Sequence, residues 1–194
     1  MRVHAFFSKK NILNIIQLEE VVMLKHSIML EILKQNQRPL KRDICEVGCF
    51  FRSSIALAEF IMNEALSGQE INSMWDAGIG SGYIKNRELI KGGAPIINMA
   101  LDIFKEKGHP SFRAYEIGTS RGGVPAFYKG VSTSLLQVED FHYIQKIVQP
   151  KGSAYPYHFR VVNSDGSLKW DPYEPVIRMQ REDYTIIYAI KKQK

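Results

Sequence analysis

The stretch Ile44-Cys45-Glu46-Val47-Gly48-Cys49-Phe50-Phe51-Arg52-Ser53-Ser54 places a glycine and a cysteine directly before a long amphipathic run. From Cys49 onward, apolar residues recur at the spacing of a helix, and this pattern continues until Ser67-Gly68. It predicts a helix that begins at Cys49 and packs one face against a core. The residues of that face are Phe51, Ile55, Ala58, Met62 and Ala65.

Cys49 is the candidate nucleophile. A cysteine at the start of a helix lies beside unpaired backbone N–H groups and the positive end of the helix dipole, which favour the thiolate. Gly48 is expected to let the chain turn sharply into the helix. The alternative is a buried cysteine that acts only as a small apolar residue. Cys45 lies before the glycine and has no comparable position, so we interpret it as structural.

The composition narrows the classes of protein to consider. The 194 residues, 45% of them hydrophobic, fit one globular domain with a core of its own. The net charge is +6, but the basic residues are dispersed, which makes nucleic-acid binding a secondary hypothesis. Two cysteines four residues apart suit neither a disulfide scaffold nor a Cys-x-x-Cys zinc site, and they favour a reducing, cytoplasmic compartment. We expect no cofactor, no metal and no membrane span.

The N-terminal residues differ from the rest of the chain. Residues 1–22 are interpreted either as an extension upstream of a true start at Met23 or as an additional amphipathic helix. Residues 23–194 are predicted to form a single domain. A short helix is expected over Ser27 to Lys34, ahead of Pro39.

After the cysteine-headed helix the period of the apolar residues changes. Two further helices are predicted, one around Ile71 to Ile79 and one from Pro95 to Phe104. Beyond Gly108 the pattern alternates, as in strands separated by Gly, Pro and Ser-Asp-Gly signals. Helices followed by an antiparallel sheet are typical of an α+β domain. The predicted strands are Phe112 to Ile117, Val124 to Val131, Phe141 to Val148, Tyr157 to Asn163, Leu168 to Asp171 and Tyr184 to Lys191.

His158 and Asp171 are the candidate partners of the cysteine, because a thiolate that cleaves an amide also needs a general base and a group that orients that base. A two-residue turn at 165–166 pairs Val162 with Lys169. The same register makes His158 and Asp171 diagonal neighbours on one face of the sheet, within reach of each other. A three-residue loop would place them on opposite faces.

Together these residues resemble a known family. Gly48-Cys49 entering a helix, His158-Phe159 in a later strand and Asp171-Pro172 across a hairpin resemble papain-like cysteine peptidases of the bacteriocin-processing type. They are also similar to an uncharacterised papain-like family carried on bacterial plasmids and phage genomes. The resemblance implies a papain-like fold with N-terminal helices packed on a C-terminal antiparallel sheet. It also implies that Cys49 is the nucleophile, His158 the general base and acid, and Asp171 the orienting group. The substrate would be an amide bond of a peptide, protein or peptidoglycan.

One position departs from that family. Relatives usually carry a glutamine about six residues before the cysteine, where its amide donates to the oxyanion, whereas this chain has Asp43. An ionised carboxylate accepts hydrogen bonds and cannot act as that donor. A catalytically inactive papain-like module that binds a peptide or partner protein is therefore the first alternative. A nucleic-acid-binding domain is the second.

Several other residues capable of chemistry are expected to have structural rather than catalytic roles. His142 has no second and third ligand at metal spacing, so we expect a structural role, and His109 is expected in a loop. The run Thr119 to Gly123 lacks the Lys-Ser/Thr pair of a phosphate-binding loop and is interpreted as a turn. Tyr155 and Tyr157 are expected either to form an aromatic wall of the cleft or to pack in the core.

Overall fold

The computed structural model describes residues 31–131 and 140–194 and has α+β architecture, as the sequence predicts. The predictions for residues 1–22 and Met23, and the first part of the expected helix over Ser27 to Lys34, lie outside the described residues. The prediction for the remainder of that helix is wrong, because residues 31–34 are not helical. The helices are α1 (Arg42–Val47), α2 (Cys49–Met62), α3 (Gly68–Gly80) and α4 (Ala94–Glu106).

Six strands form one antiparallel sheet in the order β4-β3-β8-β5-β6-β7. All six correspond to strands expected from the alternating pattern, although several boundaries differ. The small hairpin β1–β2 and the short helix α1 were not expected from the sequence. The strands are β1 (Ile84–Lys85), β2 (Glu88–Leu89), β3 (Phe112–Arg121), β4 (Val124–Phe127), β5 (Phe141–Val148), β6 (Tyr157–Val162), β7 (Leu168–Trp170) and β8 (Arg181–Lys192).

Local signals explain where two of the helices begin. At the start of α3 the Ser67 hydroxyl accepts from the Glu70 N–H, and the Glu70 carboxylate accepts from the Ser67 N–H at 2.7 Å, which is a capping box. Helix α4 has Pro95 in its first turn, where the missing N–H removes no hydrogen bond of the helix. Helix α2 ends at Asn63, whose backbone is left-handed with φ 57°, and so stops before the predicted Ser67-Gly68.

Helix α2 is the centre of the fold and is buried on most of its surface. Its apolar face joins the main core, and even its charged residues Arg52 and Glu59 are fully buried. These two form an ion pair at 3.1 Å, while Arg52 also donates to the Leu33 carbonyl and Glu59 accepts from the Leu66 N–H. Buried charges are tolerated when paired and hydrogen-bonded in this way. The pair therefore anchors the chain before and after α2 to the helix that carries Cys49.

The lengths and hydropathy of the helices bear on membrane insertion. Over residues 31–131 and 140–194, no helix is both long enough and apolar enough to cross a bilayer.

Candidate functional site

Cys49 is the first residue of α2, and Gly48 separates that helix from α1. Gly48 has φ −79°, so the chain does not need a left-handed residue there. The reason for glycine is close packing, because a Cβ atom at Gly48 would lie 2.5 Å from the carbonyl oxygen of Ile44. The chain does turn at this glycine, as expected, and glycine is needed there for lack of space. A larger residue would have to displace the last turn of α1, which directly precedes the thiol.

The backbone N–H of Cys49 is available to a ligand. As the first residue of α2 it has no acceptor inside its own helix, and no side chain caps that end. In a continuous helix the N–H would bond to the carbonyl of Cys45, four residues earlier. That carbonyl instead accepts from the side-chain Nε2 of Gln35 at 3.0 Å. Gln35 is only 2% exposed, so its amide is fixed against the turn that precedes the thiol.

His158 and Asp171 form a buried pair. The imidazole Nε2 lies 2.8 Å from Oδ1 of Asp171, and the two side chains are 4% and 0% exposed. The same Oδ1 accepts from the N–H of Tyr173 at 2.9 Å, as in an Asx turn. The Nζ of Lys34 donates to the main-chain carbonyl of Asp171 at 2.6 Å. The orientation of the carboxylate is therefore set by its own turn and by the segment that precedes α1.

The hairpin that brings this pair together differs from the predicted one. Residues 164–166 form a three-residue loop, and Val162 pairs with Leu168. The predicted pairing of Val162 with Lys169 is therefore wrong. With that loop and a regular ladder, the histidine and the carboxylate would lie on opposite faces of the sheet.

A β-bulge reverses this consequence. The register of β6 and β7 shifts by one residue directly after the loop, so that Val161 pairs with Trp170. This is the register that a two-residue turn would have produced at the far end of the hairpin. It returns Asp171 to the side of His158. A bulge that re-aims a side chain in this way is a recurrent feature beside functional sites.

Cys49 completes the group. Its side chain lies close enough to the imidazole of His158 to raise the pKa of that ring. Burial lowers the pKa of His158, but the interactions with Asp171 and Cys49 outweigh burial and raise it to about 9. Because Nε2 faces Asp171, Nδ1 is the ring nitrogen left for the thiol. The structure thus brings together all three predicted site residues, with a protonated imidazole between sulfur and carboxylate.

Two contacts join the helix of Cys49 to the strand of His158. The rings of Phe50 and Phe159 stack with centroids 4.5 Å apart and planes at 19°. The hydroxyl of Ser53 donates to the main-chain oxygen of Phe159 at 3.1 Å. These residues were not singled out from the sequence. Their only local signal is that each phenylalanine directly follows a candidate catalytic residue.

Asp43, at the position of the expected oxyanion amide, is part of an ion-pair cluster. Its Oδ1 lies 3.2 Å from Nε of Arg87, which also pairs with Glu46. Arg87 and Asn86 form the turn of the β1–β2 hairpin, with φ 67° and 51°. The cluster therefore fastens the tip of this hairpin to α1. Asp43 acts as an acceptor there, as expected of a carboxylate.

The aromatic residues before His158 lie at the surface. Tyr155 and Tyr157 are 44% and 46% exposed, which contradicts the core-packing alternative. Tyr157 lies under the Nζ of Lys146, which is 3.8 Å from the ring centroid, a cation–π distance. Tyr155 is close enough to Arg87 to interact with its charge. Tyr155 therefore lies near the tip of the β1–β2 hairpin, to which Arg87 belongs.

Cys45, expected to be structural, has a different environment from Cys49. Its sulfur lies 3.6 Å from the carbonyl oxygen of Leu40, and burial raises the pKa of the thiol. The neighbouring carboxylate of Glu46 acts in the same direction. Cys45 is therefore held as a thiol, which is the less reactive form.

The remaining candidates lie elsewhere. His142 pairs with Tyr188 in the sheet, and burial lowers its pKa to about 4. His109 follows α4 and pairs with Glu64 at 2.8 Å. Residues 119–123 end β3 and turn into β4, with Gly122 and Gly123 at φ 57° and 79°. The turn expected there is therefore present. No group of three or more potential metal ligands occurs within the described ranges.

The arrangement has the parts needed for nucleophilic attack on a carbonyl. It contains a thiol at a helix start, a protonated imidazole that can give up a proton, and a buried carboxylate that holds the ring. Comparisons of the chain with protein-family models, curated proteins and solved structures find no match. The function proposed below therefore depends on these side chains and their contacts.

Proposed function

We propose that the protein is a papain-like cysteine hydrolase that cleaves an amide bond through Cys49, His158 and Asp171. The observation that carries this proposal is the position of His158. Its nearly buried ring is hydrogen-bonded to the Asp171 carboxylate and also lies close enough to the Cys49 side chain for the two to interact. A carboxylate–imidazole–thiol series whose thiol stands at a helix start is the arrangement that thiol hydrolases use.

The reaction follows from these positions. The Cys49 thiolate attacks the carbonyl carbon, and the resulting oxyanion accepts from the Cys49 N–H. The C–N bond breaks as Nδ1 of His158 gives its proton to the leaving amine, which leaves a thioester. Water then attacks the thioester and gives a proton to the neutral His158. The thiolate leaves, the acid product departs, and the imidazolium is restored. Asp171 keeps the ring oriented throughout.

The substrate class is a peptide, a protein or a peptidoglycan cross-link, and the compartment is a reducing, cytoplasmic one. Cys45 and Cys49 are both free thiols, which agrees with that proposal. The active cleft would run between the β1–β2 hairpin and the sheet.

Two alternatives have less support. An inactive module requires an inert Cys49, and the charged imidazole beside its sulfur argues against that. A nucleic-acid interface requires a cluster of free cations. Many described cations are instead paired with carboxylates, and these pairs are spread over several elements. These are Lys41, Arg42, Arg52, Arg87, Lys107, Arg113 and Lys146.

Alkylation by iodoacetamide tests whether the thiol is activated. We expect Cys49 to react with iodoacetamide at pH 6 faster than Cys45 does, because the charged imidazole of His158 lies beside its sulfur. Peptide mass spectrometry gives the rate separately for Cys49 and Cys45. Cys45 is an internal control and should react only at higher pH. Equal pH profiles for the two cysteines would contradict the proposal.

Acylation separates a hydrolase from an inert module with a reactive thiol. p-Nitrophenyl acetate should release a burst of one p-nitrophenolate per chain, followed by a slower steady rate as the thioester hydrolyses. Cys49→Ser should abolish the burst, and Cys45→Ser should retain it. A reactive Cys49 with no turnover of its acetyl thioester would favour the inactive module.

A further inference from the structure

A cavity of about 360 Å³ is lined in part by Phe50, the neighbour of Cys49 in the first turn of α2. Phe50 directly follows Cys49, and its ring stacks on Phe159, which directly follows His158. One wall comes from the segment after the β1–β2 hairpin, and the other comes from β3, β8 and Tyr128. The lining includes Leu89, Gly92, Glu116, Arg121, Tyr128 and Tyr184.

A β-bulge gives this cavity its polar wall. The register of β3 against β8 shifts between Glu116 and Gly118. Without the shift, Glu116 and Thr119 would point to opposite faces, because they are an odd number of residues apart. With it, both line the cavity, while Ile117 packs in the small apolar cluster that includes Ile187. The carboxylate is therefore directed into the cavity by an irregularity of the strand.

The carboxylate of Glu116 is held in a fixed position. Its Oε1 accepts from the Tyr128 hydroxyl at 2.9 Å. Burial, together with that hydrogen bond, raises the pKa of Tyr128 to about 12, so the hydroxyl remains a donor. The other oxygen, Oε2, faces Gly92, where a Cβ atom would lie only 2.7 Å away. Gly92 also has φ 76°, which favours glycine. The carboxylate thus reaches across the cavity to the opposite wall.

The partner that orients Glu116 is neutral. Among residues 31–131 and 140–194, no Lys, Arg or His forms an ion pair with it. Most other carboxylates around the site are paired, including Asp43 and Glu46 with Arg87. Arg121 shares the cavity but is exposed at the end of β3. A carboxylate whose fixed neighbour is a neutral hydroxyl can still form a charge-assisted hydrogen bond with a cationic ligand.

We propose that this cavity is a substrate subsite for a residue with a primary ammonium group, and that Glu116 is the side chain that recognises it. The inference rests on the proposed hydrolase function, because the subsite selects what is presented to Cys49. The substrate class is a peptide or cross-link containing lysine, ornithine or another diamino acid. Its methylene stem would pack on Phe50 and Leu89, and its ammonium would donate to Glu116.

Thiol-directed peptidyl acyloxymethyl ketones test the subsite. Cys49 displaces the carboxylate leaving group and forms a thioether, so the labelling rate reports binding beside the thiol. Matched dipeptide probes carry lysine, norleucine or glutamate at either of the two positions next to the ketone. We expect the best lysine probe to label about 10- to 100-fold faster than its norleucine analogue, the size of one charge-assisted hydrogen bond. A glutamate preference would assign the cavity to Arg121 and overturn the proposal.

Two variants make the test specific. Glu116→Gln keeps the shape of the side chain and should reduce the lysine preference to within about 2-fold. Glu106→Gln removes an exposed carboxylate at the end of α4, remote from the cavity, and should leave the preference unchanged. A lysine preference that survives Glu116→Gln, or one that Glu106→Gln reduces equally, would overturn the role of Glu116.

The subsite and the hydrolase can fail separately. Rapid alkylation by iodoacetamide with no preference among the probes would leave the hydrolase standing and overturn the subsite. A Cys49 that reacts slowly with both iodoacetamide and the ketone probes would contradict the proposed hydrolase function. The subsite is then judged by NMR titration of Cys49→Ala with N-acetyl-lysine methylamide and N-acetyl-norleucine methylamide. Tighter binding of the lysine ligand, lost in Cys49→Ala/Glu116→Gln, supports the subsite, and equal binding overturns it.

Discussion

Two histidine–carboxylate pairs in this protein have the same length and different surroundings. His158 and Asp171 are 2.8 Å apart, and so are His109 and Glu64. The first pair is nearly closed to solvent, with side chains 4% and 0% exposed, whereas the side chains of the second are 27% and 41% exposed. Distance alone therefore does not distinguish the proposed catalytic pair from a surface contact.

The difference lies in what else touches each pair. Glu64 is shared with Lys107 at 3.2 Å, and His109 packs its ring against the edge of Phe104. His158 has the Cys49 side chain as its other partner. Interactions among exposed charges are weakened by water, whereas those among buried charges are strong. Only the buried pair combines a strongly held proton with a nucleophile that can use it.

The largest expected effect is on the titration of His158. Its pKa of about 9, against the ordinary 6.5, means that the folded protein binds this proton several hundred times more tightly. NMR of the imidazole C–H signals should show a midpoint near pH 9. Asp171→Asn should lower that midpoint, because it weakens the hydrogen bond to the carboxylate that raises the pKa of His158. The midpoint of His142 should instead lie below the ordinary value, because burial lowers its pKa to about 4. A wild-type midpoint near 6.5 for His158 would contradict the arrangement.

The same shift has a consequence for stability. Because the pKa of His158 is higher in the folded chain than in the unfolded one, the folded state binds the extra proton between about pH 6.5 and 9. The stabilisation is therefore complete below about pH 6.5 and is lost as the pH rises through about 9. Urea unfolding at pH 6.5 and pH 10 should show a larger loss of free energy for wild type than for His158→Gln. Equal losses would break the link between the buried pair and folding.

The next effect separates the two pairs directly. His158→Ala should slow alkylation of Cys49 at pH 6 by about 100-fold, because the thiol returns to the behaviour of a free cysteine. His109→Ala removes the histidine of the exposed pair and should change the rate by less than about 2-fold. Mass spectrometry of the Cys49 peptide measures both rates. Similar losses in the two variants would mean that burial does not set the pairs apart.

Much of the fold was predictable because it depends on local periodicity. Helix α2 and most of the strands from β3 to β8 contain apolar residues at the expected spacing, although β4 is exposed throughout and β8 buries six consecutive residues. The β1–β2 hairpin was missed because each strand has only two residues and its turn places Asn86 and Arg87, rather than glycine, at positive φ. Short elements contain too few residues to establish a period.

The site was predictable only in part, for a different physical reason. The residue types at 49, 158 and 171 indicated the chemistry, and the structure brings those side chains together. The register that does so came from a three-residue loop combined with a bulge, and backbone irregularities of one residue leave no clear mark in a sequence. Gln35 was missed for a related reason. Its contact with the carbonyl of Cys45 depends on how the chain before α1 folds back.

A smaller effect is expected at the carboxylate. Asp171→Ala should slow Cys49 alkylation by about 10- to 100-fold, as the loss of an orienting partner commonly does. Asp171→Asn should cost less than about 10-fold, because its amide oxygen can still accept from Nε2 of His158. Glu64→Gln is the matched change in the exposed pair and should have no measurable effect. Equal losses for Asp171→Asn and Asp171→Ala would show that charge rather than orientation is the contribution.

The smallest effect concerns Gln35, which occupies the carbonyl that could otherwise take the Cys49 N–H. Gln35→Met keeps the volume but removes the amide, so the N–H can turn towards the carbonyl of Cys45 and is less available to an oxyanion. Acylation by p-nitrophenyl acetate, which forms an oxyanion, should slow by about 5-fold. Alkylation by iodoacetamide, which forms none, should stay within about 2-fold of wild type. Gln69→Met, an exposed glutamine in the first turn of α3, is the control and should change neither rate. If Gln35→Met slows acylation and alkylation equally, Gln35 contributes only to the packing of α1. It would then have no influence on the Cys49 N–H as an oxyanion donor.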